Sequence, residues 1–134
     1  MAATSQYLSE DLLAYMFQDP ATPIAKLSTV YLALCTTVPT SATAGTEVSG
    51  GGYARVAIAC NTTNFTIATD VLTLAVPAIF PRCSASWGTV VAFQFYDAAT
   101  GGNPLWYGSL TTSQTINSGA TPSFAASSLT ITLD

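Results

Sequence analysis

Few residues in this chain could do chemistry, and they are scattered. Among seven acidic side chains, Glu47, Asp70 and Asp97 are the candidates for a paired-carboxylate site. In a glycosidase one carboxyl protonates the leaving group while the other attacks the sugar or activates water. All three acids fall in or beside turn-forming sequence, where carboxylates commonly accept hydrogen bonds from nearby backbone. The turn role is therefore the stronger reading. The chain has no histidine, which excludes Ser-His-Asp and Cys-His catalysis and histidine metal sites. Cys35, Cys60 and Cys83 are odd in number and lack metal-ligand spacing, so they read as buried thiols filling strand faces. No G-x-G-x-x-G opens a helix, and no P-loop lysine follows the glycine triplet. The expectation is a protein without catalytic residues, cofactor or metal, and not an enzyme.

The most informative segment is Gly45 to Arg55 (GTEVSGGGYAR). Glycine reaches backbone conformations closed to other residues, and ordering three in a row costs conformational entropy. A flexible surface turn is one reading of Gly50, Gly51 and Gly52. A tightly shaped joint, closely approached by other backbone, is the other. Beyond it Tyr53 and Arg55 share a strand face, since side chains alternate along a strand. Glu47 is close enough in sequence for a bidentate pair with Arg55, which would fasten the glycine loop to its strand. Trp87, Tyr96, Trp106 and Tyr107 could form a sugar-stacking platform, but alternation sends Trp106 and Tyr107 to opposite faces. Core packing is the stronger reading for that set, given how much apolar area aromatics bury.

These residues are carried by a chain of 134 residues, the size of one domain. Only 7% of residues are charged, against about 25% in ordinary soluble proteins. With 49% hydrophobic residues and a net charge of -4, the chain should fold and not remain disordered. Sparse charge gives little repulsion between copies, which favours an oligomer or a place in a larger assembly. Three cations cannot neutralise a phosphate backbone, so no nucleic-acid partner is expected. No apolar run approaches a membrane span, and the N-terminus has no Sec-type signal, so no membrane partner is expected either.

The pattern predicts one helix followed by strands. Leu8, Leu12, Tyr15 and Met16 recur on one helical face, making them candidate protein-interface residues. Ser5 can cap this helix, Glu10 and Asp11 lie toward its positive end, and Pro20 and Pro23 stop it. Strands are predicted over Thr29–Thr36, Tyr53–Cys60, a hairpin within Phe65–Val76 turning near Asp70, Trp87–Tyr96, Leu105–Thr111 and Leu129–Leu133. In the fourth of these regions Val91, Phe93 and Phe95 should point inward. Leu129, Ile131 and Leu133 should do so in the last. Pro77 and Pro81 bracket an irregular stretch. The fold class is therefore mainly β: an antiparallel β-sandwich of about seven or eight strands with one N-terminal α-helix. The helix or arm occupies 1–24 and the sandwich 25–134.

The run LALCTTVPTSATAGTEVSGGGYARVAI resembles a family of small tailed-bacteriophage proteins often labelled tail fibre protein. The resemblance extends back to YLSEDLLAYM and forward through SASWGTVVAFQFYDAATGGNPLWYGSL to the C-terminal strand, with GTEVSGGGYAR and DAATGG its most specific parts. It implies a virion structural protein with a β-sandwich and no catalytic site. The chain has no heptad array or β-helix repeat of a fibre shaft. That suits a capsid decoration (cement) protein, a homotrimer that binds the outer capsid surface and bridges the phage major capsid protein after assembly in the host cytoplasm. The alternative expectation is a tail fibre or fibre-tip component touching the host surface, with glycan as a candidate ligand.

Overall fold

A computed structural model describes residues 2–18 and 26–132 of the chain. Strand β1 (Ala2–Thr4) precedes helix α1 (Gln6–Phe17), and β2 (Thr29–Cys35) and β3 (Val56–Ala59) flank the long glycine-containing loop. Then follow β4 (Phe65–Ala68), β5 (Val71–Leu74), β6 (Ala78–Ile79), β7 (Gly88–Tyr96), β8 (Pro104–Ile116), β9 (Ser123–Phe124) and β10 (Thr130–Thr132). The expected mainly-β, antiparallel, sandwich-like fold with one helix near the N-terminus is what forms. It has ten strands among the described residues, more than the seven or eight expected, and β6 and β9 are only two residues long.

One sheet has the order β1-β8-β7-β2-β3, a second the order β10-β5-β4, and β6 pairs with β9. The apolar core lies between them. Leu32, Leu34, Val90, Phe93 and Phe95 of the large sheet meet Leu74, Leu129 and Ile131 from the small one, with Phe80 between. Strand β2 is central, as its double apolar alternation predicts. Its second face is buried too: Ala33 and Cys35 are fully covered. Loop residues close over that side, where the Gly45 amide donates to Gln94 Oε1 at 3.4 Å and the Gln6 amide donates to the Ser41 carbonyl at 2.6 Å.

The helix forms where its cap predicts. Ser5 Oγ accepts from the Leu8 amide at 3.2 Å, a hydrogen bond that satisfies one orphan N–H of the first turn. No acid lies in that first turn, so Glu10 and Asp11 do not complement the dipole there. Glu10 instead accepts from Gln6 Nε2 at 2.6 Å. Strand β1 was not foreseen; it pairs with β8 through Ala2↔Gly108, Ala3↔Tyr107 and Thr4↔Trp106. Pro20, Pro23 and Leu133 lie outside the described residues.

Two strand expectations need correction. The β7–β8 ladder shifts register between Val90 and Ala92, so two residues separate the inward-facing Val90 and Phe93. Val90 therefore enters the core in place of Val91, which is half-buried. The ladder segment expected at Tyr53–Cys60 begins only at Val56, because Tyr53 is still bonded into the glycine turn through its amide to Gly50 O at 3.0 Å. The hairpin near Asp70 forms as β4–β5, with Thr69 in the left-handed region at φ 58°.

Candidate functional site

The glycine triplet is a joint held from outside. Gly50, Gly51 and Gly52 have φ of 75°, 58° and 78°, a path that side-chain-bearing residues rarely take. The Gly51 carbonyl accepts from the Ser84 amide at 2.8 Å and from Trp87 Nε1 at 2.9 Å. A Cβ on Gly51 would lie 2.5 Å from the Ala85 carbonyl oxygen and 2.9 Å from the Trp87 ring. The close approach expected of this loop is real, and the approaching backbone belongs to the same chain.

The joint delivers Tyr53 and Arg55 to one polar cluster. The Tyr53 ring meets Trp87 edge-on at 5.3 Å and stacks on Phe80 at 6.3 Å. Its hydroxyl donates to Glu47 Oε2 at 2.7 Å and accepts from the Leu34 amide at 3.1 Å. Arg55 forms the bidentate pair with Glu47, Nε to Oε2 and Nη2 to Oε1, both at 2.8 Å. Its remaining terminal nitrogen donates to the carbonyls of Ala98 (2.7 Å) and Gly101 (2.8 Å), and its guanidinium carbon sits 3.7 Å above the Tyr96 ring. One arginine thus ties three segments together: the glycine loop, the DAATGG turn and β7. Tyr96 in turn donates to Gln94 Oε1 at 3.0 Å. Gln94 is fully buried, and its Nε2 has no partner among the described residues.

The electrostatics hold each group in its resting state. Burial pushes the Glu47 carboxyl up, but the Arg55 and Tyr53 hydrogen bonds outweigh it and leave the group below the usual range. Burial and then the Glu47 hydrogen bond push the Tyr53 hydroxyl well above its ordinary value. The Arg55 hydrogen bond to Glu47 raises the guanidinium further. Burial, with the Glu47 charge adding to it, pushes the Cys35 thiol up to about 12. An ionised acid, a protonated phenol and a protonated thiol, all engaged, form a clamp with no group poised to move a proton.

The three candidate acids have separate settings. Glu47 is committed to Arg55, Asp97 accepts from the Asn103 amide at 2.7 Å and from its side chain at 3.1 Å, and Asp70 stands exposed in the β4–β5 turn. The aromatic platform does not assemble on the surface. Trp87 and Tyr96 are buried, Trp106 packs against the core, and Tyr107 lies beside Gln94 in the ladder. Cys35 and Cys83 are buried thiols and Cys60 is partly accessible. A native-state thiol titration should therefore label Cys60 in minutes and the other two only on unfolding. Rapid labelling of Cys35 would show that the loop over β2 opens readily.

The helix presents the other candidate surface. Leu8 and Leu12 are half-buried against the body, while Tyr15 and Met16 are 55% and 66% exposed. Leu13 and Phe17, at 59% and 78%, belong to the same exposed surface. Reading a single helical face missed them; their i, i+4 spacing was the available signal.

Residues 3–132 match a family model described as podophage GP4 fiber I protein gp80. No curated protein matches the chain.

Proposed function

The chain belongs to the podophage GP4 fiber I protein gp80 family, a family of phage virion structural proteins, and from that membership we propose that it is a non-catalytic fibre component. The observation that carries this reading is the extent of the match, which takes in both main sheets except Ala2 at the start of β1. The clamp around Arg55 fits such a role, because its ionisable groups are spent on holding loops together. The chain serves as a compact module of the fibre, self-associating as a homotrimer through the helix face of Leu8, Leu12, Tyr15 and Met16. A scarcity of charge leaves little repulsion to oppose that association.

A second reading is a capsid decoration protein that bridges the major capsid protein on the outer head surface. The compact sandwich without a repetitive shaft favours it. Stoichiometry separates the two. Quantitative mass spectrometry of purified virions should give a small multiple of the tail's rotational symmetry for the fibre component. A copy number on the scale of the capsomers, with label over the head in immuno-electron microscopy, would overturn the fibre reading in favour of decoration.

A further inference from the structure

Two apolar surfaces of this chain lack partners among the described residues, and they differ in charge. The first is the far half of α1. A helix apolar on most sides is ordinarily a buried element. Here Leu13, Met16 and Phe17 are 59%, 66% and 78% exposed. The second is a groove of about 520 Å³ where the two main sheets part, floored by Val30, Phe65, Leu72, Phe95 and Trp106, with Ile67, 75% exposed, at its lip. The helix's own Leu8 reaches the mouth of this groove, and the rest of the helix does not line it.

Charge indicates what fits there. Helix α1 carries Glu10 and Asp11 and no cation. The groove is lined by one cation, Lys26, and no acid. Among the described residues the only ion pair is Arg55–Glu47, so neither helix acid nor Lys26 has an ionic partner among them. We propose that the groove receives the far half of α1 from a second copy, with Leu13, Met16 and Phe17 on the apolar floor and the helix acids toward Lys26. This inference rests on the reading that the chain self-associates through its helix, and it adds the acceptor. Donor and acceptor are different patches, so the contact is head-to-tail; repeated about an axis it closes into a ring, as a trimer requires.

Cys60 lines the groove, and the other two cysteines are buried, which supplies a built-in reporter. Met16→Cys and Phe17→Cys, made separately in the full chain, should give intermolecular disulfides under mild oxidation, extending to a closed covalent ring. The products should vanish when Cys60→Ala is added. Lys26→Glu should weaken association about fivefold, the scale of a partly screened pair, and Glu10→Lys with Asp11→Lys should restore it. Sedimentation of the uncrosslinked chain is read alongside. An oligomer that yields no disulfide to Cys60 from either position overturns the groove as acceptor while leaving self-association intact. Crosslinks that persist without Cys60 mean helix-to-helix contact and also overturn it, as does a disulfide within one chain. A monomer at all concentrations removes the self-association reading together with this one.

Discussion

Gly51→Val should destabilise the fold by about 4 kcal/mol, the sum of a left-handed backbone cost and a forced shift in a packed site. The first part follows from φ of 58°. The second follows from the position of the new Cβ, which would meet the Ala85 carbonyl and the Trp87 ring at once. Carbonyl oxygen cannot yield as a flexible side-chain end can, so the loop must lift. Lifting it releases the Trp87 Nε1 hydrogen bond and loosens the edge contact with Tyr53. A neighbouring position isolates the two contributions. Gly50 has φ of 75° but nothing within 4 Å of its Cβ. Gly50→Ala should therefore cost only about 1 kcal/mol, the backbone strain alone. Urea denaturation at pH 7 reads both. Equal losses for Gly50→Ala and Gly51→Ala would mean that the close approach carries no energy.

Arg55→Met should cost a similar amount, about 4 kcal/mol, because it strands a carboxylate that is only partly wet. The side chains of Arg55 and Glu47 are 6% and 24% exposed. The substitution also frees two carbonyls of the DAATGG turn and uncovers Tyr96. The double variant Arg55→Met with Glu47→Leu should recover much of the loss, since replacing both charges removes the stranded one. The pH dependence has a defined sign. Glu47 is held below its unfolded value of about 4.3, so its contribution is fully present above that value and fades as pH falls through the folded one. Stability of the native chain and of Arg55→Met should converge as pH falls below the unfolded value and through the lower folded one. A gap that stays constant from pH 7 to pH 3 would remove Glu47 from the account.

Local signals in the sequence located most elements, and long-range ones were out of reach. Ser5 at the helix start, the alternation of β2 and the Glu47–Arg55 spacing all act within a few residues, and each has its expected counterpart. The apolar lining of the joint did not announce itself: Ala85 and Trp87 lie more than thirty positions beyond Gly51 and meet it only in the folded sheet. Val91 illustrates a different limit. Periodicity assumes an unbroken ladder, and the shift against Ser109 and Gln114 on β8 breaks it where no glycine or proline marks the place. Strand β1 is too short, and too plain in composition, to show any period at all. The clamp was half legible: the acid partner of Arg55 is near in sequence, whereas the Tyr96 ring of β7 and the Ala98 and Gly101 carbonyls of the turn after it lie some forty residues away.

The pairing of β1 with residues 106–108 of β8 has a consequence for synthesis. Ala2, Ala3 and Thr4 are assigned a place beside Gly108, Tyr107 and Trp106, which are synthesised much later. Until Pro104–Gly108 emerges, the Ser5 amide lacks its Leu105 acceptor and the N-terminal strand has no edge to join. A chain dominated by such distant pairings folds slowly. The apolar helix α1 is made well before the strand that anchors it, so a holdase that shields nascent apolar segments should raise this protein's yield.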